Sequence, residues 1–373
     1  MAGGAAASGM QGVPRWVGTV LLPLVNLLAA LVVSGLVILA IGQDPIRAMG
    51  ILVNGAFGYP EAIGYTLFYT TNFIFTGLAV AVAFHCGLFN IGGEGQATLG
   101  GLGVALVMLP LDFLPWWALL PLAILASMAF GAAWAAIPAY LQAKRGSHIV
   151  ITTIMFNFIA ATVMVYLLVN VMIAPGQMSP ETRRFVPEAT LPLLSEVFAW
   201  IGVKVPRSPV NLSLVVALIA CIGVWVLIWR TRWGYEIRTV GQNQQAAVYA
   251  GISPAKNIVL AMLISGALAG MMALNEIMGA NERLLLNFSA GYGFVGIAVA
   301  LMGRNHPLGI ILASLLFGAL YQGGADLAFE IPAISKEMVI VIQGLVILFA
   351  GALEYMFRPH LLALFRRRAA AAG

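Results

Sequence analysis

Residues Gly77 to Gly103 have the sequence Gly-Leu-Ala-Val-Ala-Val-Ala-Phe-His-Cys-Gly-Leu-Phe-Asn-Ile-Gly-Gly-Glu-Gly-Gln-Ala-Thr-Leu-Gly-Gly-Leu-Gly. An apolar span leads here into a glycine-rich break and then into the apolar segment 96–111. That segment is shorter than the roughly 20 residues that a helix needs to cross the hydrocarbon of a membrane. Irregular backbone at membrane depth is tolerated only where protein or a water-filled cavity satisfies its polar groups. The stretch therefore predicts a broken or re-entrant helix in a membrane protein.

The composition of the whole chain supports this class. Of 373 residues, 61% are apolar or aromatic and only 9% are charged, and the mean hydropathy is +0.96. Soluble domains have about 25% charged residues, so this chain cannot cover a surface that faces water. We predict an all-α, polytopic transmembrane bundle of about ten segments with broken or re-entrant helices. The apolar segments are 17–41, 62–84, 96–111, 116–140, 147–173, 210–229, 258–280, 291–303, 307–329 and 336–356.

Lysine and arginine residues set the expected orientation, because they are enriched in cytoplasmic loops. Most of them fall on one side if the N-terminus is inside. We expect residues 1–16 to form a cytoplasmic N-terminus, 17–357 the transmembrane domain and 358–373 a cytoplasmic tail. The loop 230–257 is then cytoplasmic, and the proline-rich loop 174–209 is extracytoplasmic, either capping the outer mouth or acting as a passive connector. Since the positive charges flank apolar segments, the net charge of +5 does not indicate a nucleic-acid partner.

The glycine-rich break carries the first candidate site residues, Asn90, Glu94 and Gln96. An isolated carboxylate at membrane depth costs about 2.5 kcal/mol or more, so such a residue is a candidate for function. Two interpretations of Glu94 stay open. It caps the half-helix that begins near Gln96, or it contacts a solute directly.

A second set of polar residues interrupts later apolar segments; it comprises Asn157, Asn275, Glu276, Asn281 and Gln322. Hydrogen bonds between helices are the default role for the amides. Glu276 is a second candidate for the solute pathway. Because neighbours on an α-helix point about 100° apart, we expect that Asn275 and Glu276 do not both face one cavity.

The loop 230–257 differs from a simple connector. Its polar and small residues predict a short helix from Asn243 to Ala250, with Gly241 before it and Gly251 after it. The alternative is a solvated loop. The chain has no phosphate-binding loop of the G-x-x-x-x-G-K-[ST] type and no histidine or cysteine spacing for a metal. We therefore expect a protein that is not an enzyme, with no metal and no cofactor of its own.

Two motifs together carry a resemblance to a known family. Phe89-Asn-Ile-Gly-Gly-Glu-Gly-Gln96 and the stretch from Gly234 to Ile252 resemble the ABC-transporter permeases of the branched-chain amino acid, simple-sugar and nucleoside uptake group. The likeness extends over roughly 60–358, and the first motif is most similar to the nucleoside branch. The loop 230–257 is similar to the loop by which such permeases dock on their ATPase. The matching positions are Arg238, Gly241, Asn243, Ala246, Ala247 and Gly251.

The resemblance implies an importer in the cytoplasmic membrane. It would combine this chain with an ATP-binding subunit that holds ATP and Mg²⁺, a second permease subunit and an extracytoplasmic substrate-binding protein, all within membrane lipid. The expected cargo is a nucleoside or simple sugar. The alternative is an ion- or proton-coupled secondary transporter of a small polar solute, with Glu94 or Glu276 as its proton site.

Overall fold

The computed structural model describes residues 22–174, 176–335, 337–345 and 348. These residues are mostly helical and contain no strand, only two isolated bridges, so the all-α prediction is confirmed. The helices are α1 (Leu22–Ala40), α2 (Pro45–Phe57), α3 (Pro60–His85), α4 (Gly93–Leu111), α5 (Trp116–Arg145), α6 (Ile149–Leu167), α7 (Leu194–Trp200), α8 (Ser213–Arg230), α9 (Arg232–Gln242), α10 (Gln244–Tyr249), α11 (Pro254–Ala273), α12 (Tyr292–Met302) and α13 (Pro307–Glu330). Residues 1–16 and 358–373 lie outside the described part.

Seven of the described helices are long and apolar enough to span a membrane, or eight spans if one bent pair counts as a span. The segment predicted at 17–41 corresponds to α1, after which the chain turns by 120° into α2. Helix α2 was not predicted, since its apolar residues alternate with Arg47, Asn54 and glycines. The short segment predicted at 291–303 is α12, with 11 residues. Helix α4 is longer than expected, because it includes the glycines from Gly93 onward.

The centre of the larger compact unit, Ala56–Gln322, is held together by close approach of backbones. A Cβ atom at Gly270 of α11 would overlap the carbonyl oxygen of Ser127 in α5. On the same helices, Gly266 and Gly131 would each meet the other's carbonyl oxygen, and Gly100 of α4 would meet the backbone of Gly270. Small residues let membrane helices pack at such distances. Helices α4, α5 and α11 therefore form a tightly interlocked group.

The smaller unit consists of Met1–Gly55 and Gly323–Gly373. Its described part contains an apolar cluster formed by Ile38, Ala48, Leu327, Ile331, Ile334, Val339 and Ile342. Gly323 lies against the carbonyl oxygen of Leu52, with no room for a side chain. This unit thus has a small core of its own.

The two long loops lie at opposite ends of α8. Residues 174–209 precede its first residue, Ser213, and α9 and α10 follow its last residue, Arg230. Within 230–257, the predicted short helix is present as α10, and α9 is a further helix that the sequence did not predict. Gly241 therefore lies within α9 instead of marking the end of a loop.

We predict that Gly270→Ala lowers the stability of the folded chain. The added methyl group must displace the Ser127 backbone, and overpacking of this kind costs about 1–3 kcal/mol. The matched control is Gly223→Ala in α8, where nothing lies within 4 Å of the added atom. Thermal unfolding in detergent should show a lowered midpoint for the first variant and an unchanged or raised one for the second, because alanine favours helices over glycine. Equal midpoints would contradict the packing described here.

Candidate functional site

The Glu94 carboxylate binds the start of α12, almost 200 residues away. Its Oε1 accepts hydrogen bonds from Ser289 Oγ at 2.7 Å and from the Gly291 N–H at 2.9 Å. Its Oε2 accepts from the Gly293 N–H at 2.9 Å. A negative charge at a helix N-terminus satisfies free N–H groups and interacts favourably with the helix dipole. Glu94 therefore caps α12. The capping interpretation drawn from the sequence placed it instead at the start of its own helix, α4.

This contact joins the beginnings of two apolar helices. Helix α4 is long and apolar enough to span a membrane, and α12 is a shorter apolar helix of 11 residues. At the contact itself, a Cβ atom on Gly293 would overlap the backbone of Glu94. The beginnings of α4 and α12 thus meet closely, with the carboxylate between them.

Asn90 and Gln96 are brought together, but away from the Glu94 carboxylate. Asn90 Nδ2 donates to Gln96 Oε1 at 3.0 Å and to Ser265 Oγ on α11 at 2.9 Å. The Asn157 side chain on α6 holds the same region of backbone. It accepts a hydrogen bond from the Gly95 N–H and donates one to the Ile91 carbonyl, both at 2.9 Å. These bonds satisfy the irregular backbone between α3 and α4, as membrane-embedded backbone requires.

Glu276 lies in a separate buried network. Its helix continues beyond Ala273 as a wider π-helical segment, Leu274–Asn281. Asn72 Nδ2 donates to Glu276 Oε1 at 2.6 Å, and Asn281 Nδ2 donates to Oε2 at 3.1 Å. Asn72 Oδ1 accepts from Asn275 at 2.8 Å. Asn275 and Glu276 are therefore linked, because the two ends of one amide on α3 reach both residues.

Aromatic rings lie between the two carboxylate networks. The five rings belong to Tyr69, Phe73, Tyr292, Phe317 and Tyr321, and neighbouring centroids are 5.0 to 6.2 Å apart. Tyr292 begins α12 next to the Glu94 contact, and Phe73 follows Asn72 of the other network. Phe73 and Phe317 are fully buried, whereas Tyr69 and Tyr321 are only partly so. The cluster thus offers two partly accessible tyrosines on a rigid aromatic base.

The loop 230–257 packs directly on the break between α3 and α4. Helix α9 starts at the Thr231 cap and α10 at the Asn243 cap, whose side chain accepts from the Ala246 N–H. A Cβ atom on Gly241 would overlap the His85 carbonyl and lie 2.9 Å from the backbone of Cys86 and Gly87. Beneath it, an apolar cluster includes Cys86, Leu88, Ile237, Val240 and Ala247.

The remaining residues of the predicted docking set occupy the outer surface of this loop. Arg238 lies on α9, with Nε 3.4 Å from the Gly234 carbonyl. Ala246 is exposed, and Gly251 ends α10 with a left-handed φ of +73°. Tyr249 and Val248 leave 94% and 59% of their surface exposed. Exposed apolar side chains at a helix tip are typical of an interaction surface.

Two short stretches of the chain are similar in sequence, Gly77–Ala81 and Gly296–Ala300. They lie against each other in a reciprocal contact. A Cβ atom on Gly77 would meet Val299, and one on Gly296 would meet Thr76. Gly93 and Gly293 approach each other in the same way. Such mutual pairs are the pattern that two copies of one motif make about a two-fold axis.

The loop 174–209 is tied to two parts of the bundle. Arg183 Nη1 pairs with Asp112 at the end of α4, at 2.5 Å, and Arg283 pairs with Glu181 at 2.7 Å. Backbone bonds join Thr182 to Leu284 and Leu191 to Met278. A cavity of about 300 Å³ opens beside these contacts; its lining is Tyr65, Leu193, Arg207, Ser208, Pro209, Gly279, Ala280 and Glu282.

Comparison with known proteins identifies the family to which this chain belongs. A family model described as the permease component of the branched-chain amino acid transport system matches residues 62–351. The chain belongs to this family. It is a membrane-spanning permease subunit of an ABC transporter, as the motifs around Glu94 and Gly241 predict.

Curated relatives extend the likeness over nearly the whole permease. It is 38% identical to a glucose ABC transporter permease of Haloferax volcanii over 95% of this chain and 93% of that one. It is 36% identical to a guanosine ABC transporter permease of Bacillus subtilis, covering 89% and 93% of the two chains. A nucleoside ABC transporter permease of Lactococcus lactis is 33% identical, with 88% and 90% covered. No solved structure matches the permease.

Several residues of these networks were not predicted. They are Asn72, Ser265, Ser289 and the three tyrosines of the aromatic cluster, together with Asn211 and Ser213, which both donate to the Asn275 Oδ1, at 2.9 and 2.8 Å. Asn72 was detectable as an amide within an apolar run. Ser289 had no such signal, because only the fold brings its loop to Glu94.

We predict that Glu94→Gln destabilises the permease. A glutamine has one acceptor oxygen and an amide that faces N–H donors, so at least one buried N–H at the start of α12 loses its partner. Such a loss costs about 1–3 kcal/mol. Thermal unfolding should show a larger decrease than for the control Ser289→Ala, which removes one hydroxyl donor and leaves the carboxylate on both backbone groups. A variant as stable as wild type would refute the capping role.

We also predict a pH-dependent anchor at the loop 174–209. The hydrogen bond from Arg183 lowers the pKa of Asp112, so the paired carboxylate is retained at neutral pH and lost as the pH falls through that lowered pKa. Hydrogen exchange at 181–186 should therefore be slower in wild type than in Asp112→Asn at pH 7. The two proteins should become alike at acid pH. About half of the Arg183 side chain is exposed, so solvent screens the pair and its contribution is about 1 kcal/mol. Equal exchange at pH 7 would disprove the anchor.

Proposed function

We propose that the permease moves a nucleoside or a related ribose-bearing solute into the cell, driven by ATP that a partner subunit hydrolyses. The observation that carries this proposal is the contact of Gly241 with the backbone of 85–87. Through it, a helix at one end of the bundle bears directly on the break that positions Glu94. Relatives whose names specify guanosine and nucleoside transport support this solute class, and a relative named for glucose makes a simple sugar the competing candidate.

The Glu94 contact favours a neutral solute. Half-helices that meet in transporters often direct their positive N-terminal ends at an anionic cargo. Here the protein's own carboxylate occupies the start of α12. A negatively charged solute would find that position already neutralised.

The aromatic cluster is the proposed surface for the solute's ring. Tyr69 and Tyr321 are partly accessible, and stacking on an aromatic side chain tolerates any base. Asn90, Gln96 and Glu276 make hydrogen bonds within the protein, so we assign them to shaping the pathway near this surface. The cavity beside Arg207 is the proposed outer vestibule, which receives the solute from an extracytoplasmic binding protein.

The remaining assignments follow from placing the cavity beside Arg207 on the outer side of the membrane. The loop 230–257 faces the cytoplasm and inserts α10 into a cleft of the ATP-binding subunit, where Ala246, Val248 and Tyr249 make contact. ATP and Mg²⁺ belong to that subunit, and this chain holds no cofactor. A second permease subunit completes the pathway in the cytoplasmic membrane, with both termini inside. The proton-coupled alternative is not favoured by the relatives.

Reconstitution tests the proposal. Proteoliposomes that contain the permease, its ATP-binding subunit and the binding protein should accumulate labelled guanosine only when ATP is present. Glucose serves as the competing candidate solute. Guanosine uptake by the permease alone under a pH gradient would overturn the proposal in favour of a secondary transporter.

We predict that Gly241→Ala uncouples transport from ATP hydrolysis. The methyl group pushes α9 away from the 85–87 backbone, and that contact is the proposed route of force. Uptake should fall at least tenfold while the ATP-binding subunit still hydrolyses ATP. Gly223→Ala is the matched control, since its surroundings are empty. A thermal midpoint measured on the same preparations separates uncoupling from misfolding, and unchanged uptake would refute the role of Gly241.

We predict that Tyr321→Leu reduces guanosine uptake. Stacking of a base on an aromatic ring contributes about 1–3 kcal/mol, which corresponds to a loss of about 5- to 150-fold in transport at low solute concentration. Tyr321→Phe keeps the ring and should retain most of the uptake. If both variants transport at the wild-type rate, the cluster does not contact the solute.

A further inference from the structure

An apolar groove runs between α8 and α13 on the outside of the larger unit. Its volume is about 320 Å³, and its lining is Leu218, Cys221, Ile222, Trp225, Pro307, Leu308 and Ile311. The side chains of Ile222 and Leu308 are 64% and 67% exposed. In a chain that spans a membrane, this groove faces the hydrocarbon.

Positive charge lies at the end of the groove that is nearer to α9. Arg230, the last residue of α8, holds its guanidinium carbon 5.2 Å from the centre of the Trp225 ring, which lines the groove. Arg304, three residues before Pro307, is exposed at the same end. Glu236 nearby is engaged by Arg232 at 2.8 Å and by Asn257 at 3.3 Å.

We propose that this groove is a binding site for one anionic phospholipid. An acyl chain would lie along Ile222 and Leu308, and the phosphate would meet the Arg230 guanidinium. Arginine binds phosphate oxygens through two parallel N–H groups. Basic pockets between membrane helices on the cytoplasmic side recognise anionic headgroups in this way. Trp225 fits the boundary position, because its ring is enriched where hydrocarbon meets headgroups.

Charge favours a phospholipid over a second copy of the chain as the occupant of this groove. A two-fold interface places the same patch of each subunit against the other. The groove wall carries no carboxylate, so Arg230 of either copy would find no negative partner on the patch that faces it. A phosphate supplies the missing negative charge, so the lipid is the better match.

The proposal does not depend on which solute the permease moves. It is tested with the purified full chain in detergent by native mass spectrometry. The probes are phosphatidylglycerol and phosphatidylcholine with identical acyl chains. One phosphatidylglycerol should remain bound with an affinity about fivefold higher than that of phosphatidylcholine, which is the contribution of one favourable charge near a membrane surface.

Two variants locate the headgroup. Arg230→Gln should remove the preference for phosphatidylglycerol, and Arg230→Lys should retain much of it. The matched control is Arg207→Gln, which removes an exposed arginine at the opposite end of α8. Equal binding of the two lipids to wild type, or equal effects of Arg230→Gln and Arg207→Gln, would overturn the proposal.

A third variant tests the groove itself. Ile222→Trp fills it and should weaken both lipids, with an unchanged thermal midpoint showing that the fold is intact. If this variant instead changes the number of chains in the particle and leaves lipid binding unchanged, the groove is an interface between copies. That outcome would also overturn the lipid assignment.

Discussion

The bond between Glu94 and the start of α12 is the constraint on which the central part of the structure depends. A carboxylate without partners in a membrane-spanning helix would be unfavourable by about 2.5 kcal/mol or more, and free N–H groups at a helix start in hydrocarbon would be similarly costly. Each group satisfies the other. The two irregular segments that lead to this point, 86–92 and 282–291, can therefore exist inside the membrane.

A continuous series of contacts extends from this bond to one end of the bundle. The Glu94 helix begins at a break whose backbone is held by Asn90, Asn157 and Ser265. The other side of that break lies against Gly241 of α9. Protein interiors are packed as densely as crystals of small organic molecules and are hard to compress. A displacement of α9 is therefore passed on to the backbone it contacts. This series of contacts is well suited to transmit a movement of α9 to the start of α4.

Much of this was predictable from composition and local pattern, and the remainder depended on long-range pairing. Scarce charge identified the membrane class, and one carboxylate among glycines identified Glu94 as a candidate. The predicted short helix is present as α10 and is followed by Gly251, whereas Gly241 lies within α9. The partner of Glu94 was not predictable, because Ser289 and Gly293 lie almost 200 residues away and no local rule links them.

The errors have similar physical origins. The bend between α1 and α2 was missed, since an apolar count does not register a change of direction at Gln43 and Asp44. The bonds of Asn72 to both Glu276 and Asn275 were not predicted either, since only tertiary structure brings α3 to this π-helical segment. Local periodicity thus identified which residues were unusual, and tertiary structure decided what they contact.

The glycine contacts among α4, α5 and α11 also bear on how such a chain can acquire a new cargo. At Gly131, Gly266 and Gly270 a neighbouring backbone occupies the place of any side chain, so these positions tolerate almost no change. The rings of Tyr69 and Tyr321 are under no such restriction, since they are partly accessible. If these rings contact the solute as proposed, substitutions at a few of them can change the cargo while the scaffold stays the same. The likeness of this chain to both a glucose permease and a guanosine permease is consistent with that.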